Sequence, residues 1–331
     1  MKKRLCVCAF GMVLSAFVWA GGNQDQGGAA GGTWAPSRNI DWVVTSSAGG
    51  GSDIFTRFIA DILAKEGLVS NTILVTNNAT GMGEVGRTQV SGLRGAGADH
   101  TIMTFNSGDL MSMVQNTTRR MDSFRPIAIM AIDKQLLYVS KASRFQNFQQ
   151  VMDAVRGGTR IVAGGSRGDD QMTFQLLLDE MKWGEAQVPY IIHHSSNDAI
   201  VAALGGHIDL VISKPAAAAP FVEAGELIPI LALAHQRFGG NLASVPTVSE
   251  VGNFNNVEFP VWRGIAGPAS MSPEAQAFWA SVLQKVAETS TWQNEYIGKF
   301  LLLPVFMDHL EATKYMLEFQ NEFMEILGAT R

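Results

Sequence analysis

One local design occurs twice in this chain, and it limits what the chain can fold into. Residues 40–58 run Ile-Asp-Trp-Val-Val-Thr, then Ser-Ser-Ala-Gly-Gly-Gly-Ser, then Asp-Ile-Phe-Thr-Arg-Phe. Residues 160–178 run Arg-Ile-Val-Ala, then Gly-Gly-Ser-Arg-Gly, then Asp-Asp-Gln-Met-Thr-Phe-Gln-Leu-Leu-Leu. Each is an apolar run, a Gly/Ser loop and an amphipathic stretch of helical period. A strand that enters a helix through glycine aims unpaired backbone N–H groups at the space above the turn, and the helix dipole favours negative charge there. Two such ends imply a small anion held between two α/β lobes.

The rest of the chain alternates in the same way. Apolar runs at 41–45, 72–76, 101–105 and 125–132 read as strands, with helices at 53–65, 83–93 and 109–115 between them. A second series follows. Its strands are 135–139, 161–163, 190–193, 208–213 and 228–234; its helices are 148–155, 169–182 and one opening at the capping box Ser195-Ser196-Asn197-Asp198. Helices of this length between strands imply mostly parallel sheets with right-handed crossovers. The tail has one strand, 260–267, and helices opening at Ser272, Ser290 and Asp308. Such a tail suits a return to the first unit. The expected fold is a two-lobed α/β protein, with lobe 1 at 34–133 plus 239–331, lobe 2 at 134–238, and the ligand at the carboxyl ends of the strands.

Residues 1–20 have a basic start (Lys2, Lys3, Arg4), an apolar core and small residues at 18 and 20, the pattern of an export signal. Both cysteines, Cys6 and Cys8, lie there, so the mature chain is expected to have no thiol chemistry. Cys8 is a poor lipidation site because the apolar run before it is short. Residues 21–33 read as a flexible tether. With 25 basic against 30 acidic residues and no basic cluster, no nucleic-acid surface is expected.

Seen together, several blocks resemble the substrate-binding proteins of tripartite tricarboxylate transporters, the Bug family. They are Ala48-Gly-Gly-Gly-Ser-Asp53 with Arg57; Asn77-Asn78 then Gly81-Met-Gly83; Gly164-Gly-Ser-Arg-Gly168; Leu204-Gly-Gly-His-Ile-Asp209; Gly225-Glu-Leu-Ile-Pro-Ile-Leu-Ala232; Val245-Pro-Thr-Val-Ser-Glu250; and Trp262-Arg-Gly-Ile-Ala-Gly-Pro268. The resemblance implies a hinge-closing periplasmic-binding-protein fold of type II. It further implies capture of a small organic acid in the cell envelope and delivery to integral membrane transporter subunits. No cofactor, metal or catalysis is expected, and a monomer is. The chain departs from the family at Asp169-Asp170 and at Ser195-Ser196-Asn197, where neutral and glycine-rich stretches are usual.

The ligand-binding residues expected on these grounds are Ala48, Gly49, Gly50, Gly51, Ser52, Asn78, Thr104, Asn106, Gly165, Ser166, Arg167, Ser195 and Ser196. A side chain at Gly50 would fill the space the N–H groups face and oppose a φ > 0 geometry. Several of these residues have a rival role. Ser52 and Asn106 are alternative helix caps, and one of Asn77 and Asn78 serves the turn. Arg167 either grips a carboxylate or pairs with Asp169 or Asp170. Asp53 reads as structural, and Lys214 as a surface lysine. Gly164–Gly168 also matches the G-x-S-x-G nucleophile elbow, which would make the protein a secreted serine hydrolase with Asp209 and His235 or His309 completing a triad. An envelope ligand sensor would share every feature named. His193 and His194 should point to opposite faces of a strand and so not chelate together. Met103, Met111 and Met113 read as core filler or pocket lining.

Overall fold

The computed structural model describes residues 34–328 apart from 253, 255 and 256. The export signal and most of the tether therefore lie outside the described residues. Two sheets organise the chain. The first contains β1 (Ile40–Val44), β2 (Ile73–Asn77), β3 (Thr101–Asn106), β4 (Phe124–Asp133), β10 (Val261–Pro268) and β11 (Leu303–Met307), in the order β11-β4-β10-β3-β1-β2. The second contains β5 (Gln135–Ser140), β6 (Ala163–Ser166), β7 (Tyr190–His193), β8 (Leu210–Ser213) and β9 (Leu227–Leu233), in the order β7-β6-β8-β5-β9.

Both sheets are mixed. In the first, β1 to β4 run one way, and β10 and β11 run antiparallel to them. In the second, β5 alone opposes the others. The opposed inner strand is in each case the one at which the chain arrives from the other sheet. Only Lys134 separates β4 from β5, and the return passes from β9 to β10. Val245, Val248 and Val257 pack in the cores of the second sheet, so the return follows Val257.

Helices cover both faces of each sheet. On the first sheet, α1 (Gly51–Lys65), α10 (Pro273–Glu288) and a π-helix (Thr291–Gly298) bury Phe55, Ile59, Trp279, Leu283, Trp292 and Tyr296 on one side. On the other, α2 (Glu84–Ser91), α4 (Ser107–Asn116) and α11 (His309–Ile326) close over Phe105 and Trp262, with Met103, Met111 and Met113 fully buried. The short α3 (Ala96–Asp99) leads into β3. On the second sheet, α5 (Phe148–Arg156) and α6 (Asp169–Met181) cover one face, and α7 (Ser196–Leu204) and α8 (Pro215–Glu223) the other. A single turn, α9 (Val248–Val251), packs beside β9.

Three expectations need correction. Helix α8 was not anticipated, because an Ala-rich run with Pro220 inside it shows little helical periodicity. Nor was β11, a short edge strand that begins a few residues after the π-helix. Ser290 does not cap that π-helix; the Thr289 hydroxyl accepts the Trp292 N–H at 3.1 Å instead. Where a cap residue precedes a strongly periodic helix, expectation and structure agree. Ser272 accepts from the Ala275 N–H, Ser195 from Asp198, and Asp308 from Leu310 and Glu311.

Candidate functional site

A cleft of about 80 Å³ lies between the sheets, at the carboxyl ends of their parallel strands. Its walls are helix beginnings. Gly51 and Ser52 open α1; Gly108 and Asp109 lie in the first turn of α4; Asp169 opens α6; Ser195 and Ser196 open α7; and Lys214 precedes α8. Five helices thus begin at one small volume and turn the positive ends of their dipoles toward it. The two glycine loops supply two of the five.

The first loop is held by a local network. Asp53 accepts the Gly49 N–H at 2.9 Å and binds Arg57 and the Asn77 amide, which also reaches the Ser46 carbonyl. Asp53 is therefore structural, as expected. The left-handed residue of the turn is Gly49, with φ 77°. Gly50 has φ −74°, which any residue can adopt. What requires glycine at 50 is proximity: a Cβ there would lie 3.0 Å from the Ser195 Cβ of the other lobe. Helix α1 begins at Gly51, so the Ser52 hydroxyl is free of capping and accepts from the Asn106 amide at 2.8 Å. The other end of that amide accepts the Gly264 N–H.

The second loop ends on a buried ionic cluster. Asp170 accepts from the Ser166 N–H and hydroxyl, from the Ser196 hydroxyl and from the Gln135 amide, and it pairs with Lys214. Lys214 also pairs with Asp169 at 2.7 Å. The lysine is 6% exposed, not a surface residue. Burial works to lower its pKa, but Asp169 and Asp170 outweigh burial and hold it above the ordinary lysine value. Burial raises the Asp169 carboxyl despite Lys214. Across the cleft, Arg263 pairs with Asp133 and donates to the Gly51 carbonyl. Burial likewise raises Asp133.

Arg167 does not pair with Asp169 or Asp170. It donates to the Asn116 amide oxygen of α4 at 3.3 Å, and its Nε is buried without a partner. Other buried polar atoms of the cleft walls lack partners too: Ser46 Oγ, Ser112 Oγ, His193 Nε2 and Arg263 Nε.

Of the expected residues, Gly51, Ser52, Asn106, Ser166, Arg167, Ser195 and Ser196 line the cleft, and Gly49 and Gly50 stand behind Asn197 and Ser195. The other four lie farther from it. Ala48 is exposed on the outside of the loop. Thr104 is fully buried, bonded to the Trp42 indole and the Thr56 hydroxyl. Asn78 gives its N–H to the Val44 carbonyl and packs on α2. Gly165 lies beneath Tyr190 and Asp170. His193 and His194 both line the cleft, because β7 ends at His193 and strand alternation stops there.

Arg87, Asp109 and Ser112 line the cleft without any local sequence signal. Arg263 did carry one: a charged residue inside the otherwise apolar strand Val261–Pro268. The elbow reading lacks its geometry. The Ser166 hydroxyl is engaged by Asp170, Asp209 binds Arg144 and the Val162 N–H, His235 binds Ser249, and His309 opens α11.

Two α/β lobes closed over a cleft of helix N-termini define a solute-binding protein of the type II periplasmic class. The family model described as "Tripartite tricarboxylate transporter family receptor" matches residues 55–329, and the chain belongs to that family. It is 24% identical over 288 residues to the UPF0065 protein in gbd 5'region of Cupriavidus necator, covering 86% of this chain and 84% of that one. Its fold is similar to that of the periplasmic binding protein BugD (TM-score 0.79, 18% identity, 88% of this chain and 97% of that one). It is also similar to MatC from Rhodopseudomonas palustris with bound malate (TM-score 0.77, 17% identity, 88% and 99%). Among the described residues no helix is long and apolar enough to cross a membrane.

Proposed function

We propose that the protein captures a small organic carboxylate outside the cytoplasmic membrane and delivers it unchanged to integral membrane transporter subunits. The observation that carries this reading is the convergence of five helix N-termini on a cleft whose walls hold unpartnered donors. The N–H groups of Gly51 and Ser52, the hydroxyls of Ser46 and Ser112 and the Arg167 guanidinium are the donors for the ligand's oxygens. Hydrogen bonds to a charged group contribute about 1.5–3 kcal/mol each. Three or four of them reach the roughly 8 kcal/mol of micromolar binding. Malate in the MatC structure supports a carboxylate. Family membership supports the transporter partner and the extracytoplasmic location. The Ser166 hydroxyl is spent on the Asp170 carboxylate, which supports release without chemistry. The test is a thermal-shift screen of the purified protein against carboxylates and their uncharged amides. Acids should raise the melting temperature and the amides should not. Equal shifts from acid and amide would sink the proposal.

A further inference from the structure

Of the four cations that line the cleft, three are held by carboxylates and one is not. Arg87, Arg167, Lys214 and Arg263 line it. Arg87 is held by Glu84 at 3.0 Å and Asp109 at 3.1 Å. Lys214 is held by Asp169 and Asp170, and Arg263 by Asp133. Among the described residues Arg167 forms no ion pair, and its Nε is buried without a partner. One uncompensated cation faces the ligand, together with the neutral, unpartnered Ser46 Oγ, Ser112 Oγ and His193 Nε2. Burial lowers the pKa of His193, which keeps that ring neutral. Two carboxylates, Asp109 and Asp169, share the same wall.

We infer that this cleft selects a short acid with one negative charge, its carboxylate on Arg167 and its hydroxyl or keto oxygens on Ser46, Ser112 and His193, and that it rejects di- and tricarboxylates. The inference rests on the carboxylate-receptor reading and narrows it. A second ligand carboxylate would find every remaining cation already paired and would face Asp109 or Asp169; like charges at close range in a desolvated site are strongly unfavourable. The space between the lobes is small, about 80 Å³, which favours a short ligand.

Isothermal titration of the purified protein with glycolate, lactate, pyruvate, malonate, succinate and citrate tests this. The three monocarboxylates should bind at least about tenfold tighter than malonate or succinate, a difference of about 1.4 kcal/mol. Citrate should give no heat. In Asp109→Asn the amide retains the shape, and Arg87 loses one of its two carboxylates. That variant should narrow the affinity gap between lactate and succinate about tenfold. Succinate or citrate binding the parent as tightly as lactate would overturn the single-charge inference and leave the receptor reading standing. Silence with every acid would overturn both. The parent series decides the matter even if Asp109→Asn does not fold.

Discussion

At the scale of single residues, Asp170 is the hub of the site although it does not line the cleft. Its carboxylate gathers donors from β5, the second glycine loop, α7 and the residue before α8. Lysines are almost never buried unless paired, and the pairing of Lys214 is invisible in sequence because its partners precede it by more than forty residues. That is why Lys214 reads as a surface residue. The glycine loops are legible because their chemistry is local; Arg87, Asp109 and Ser112 are not, because only tertiary packing aims them. Lys214→Met should destabilise the fold by about 3–5 kcal/mol, since it strands two buried carboxylates; urea unfolding measures it, and a loss under 1 kcal/mol would contradict the network. Ser166→Ala removes one hydrogen bond to Asp170. It should weaken ligand binding by about 1 kcal/mol and change no reaction rate. Stoichiometric labelling of Ser166 by a fluorophosphonate would argue for a hydrolase instead. Gly50→Val leaves the backbone unstrained at φ −74°. Its side chain meets Ser195, so it should abolish the ligand-induced rise in melting temperature while lowering the ligand-free melting temperature only modestly.

At the scale of elements, α8 decides how the lobes meet. Ala216 packs in the first sheet's core with α1, while Ala217 and Ala218 pack in the second sheet's core. Small side chains let the helix lie close to both. Ala216→Leu overpacks this joint and should cost about 1–3 kcal/mol. Because the crowding falls between lobes, it should weaken ligand binding as well as stability, and calorimetry on the two proteins compares them. Alkali should act through the adjoining cluster. The folded pKa of Lys214 lies above its ordinary value of 10.5. Its contribution is therefore complete below pH 10.5 and fades as pH rises through the higher folded value. Burial also raises Tyr190, with Asp170 and Asp169 adding to the effect; a folded state that holds this proton likewise loses stability as pH rises above 10. Melting temperature should therefore stay level from pH 7 to 9 and fall beyond about 10. A rise in that alkaline range would count against the paired lysine.

On the scale of the whole molecule, the two sheets share one plan. The orders β2-β1-β3-β10-β4 and β7-β6-β8-β5-β9 match position for position, with the glycine loops at equivalent ends. Alternating periods made the succession of strands and helices legible, with strands expected at 125–132 and 135–139 on either side of Lys134. The antiparallel insertions were not, since nothing local marks a strand that arrives from another sheet. The described residues begin with Trp34, whose ring meets His100 and Phe278. Removal of residues 1–32 should leave the circular dichroism spectrum unchanged, and loss of the native spectrum would refute that. One contact has a broader consequence. Gly108 and Gly168 face each other from opposite lobes, and a Cβ on Gly168 would come within 2.6 Å of the Gly108 carbonyl oxygen. At this point the jaws meet on bare peptide rather than on side chains. A single methyl at position 168 would hold the mouth wider, whereas one at position 108 would press on the Asp169 carboxylate at 2.7 Å and disturb a group that holds the charge.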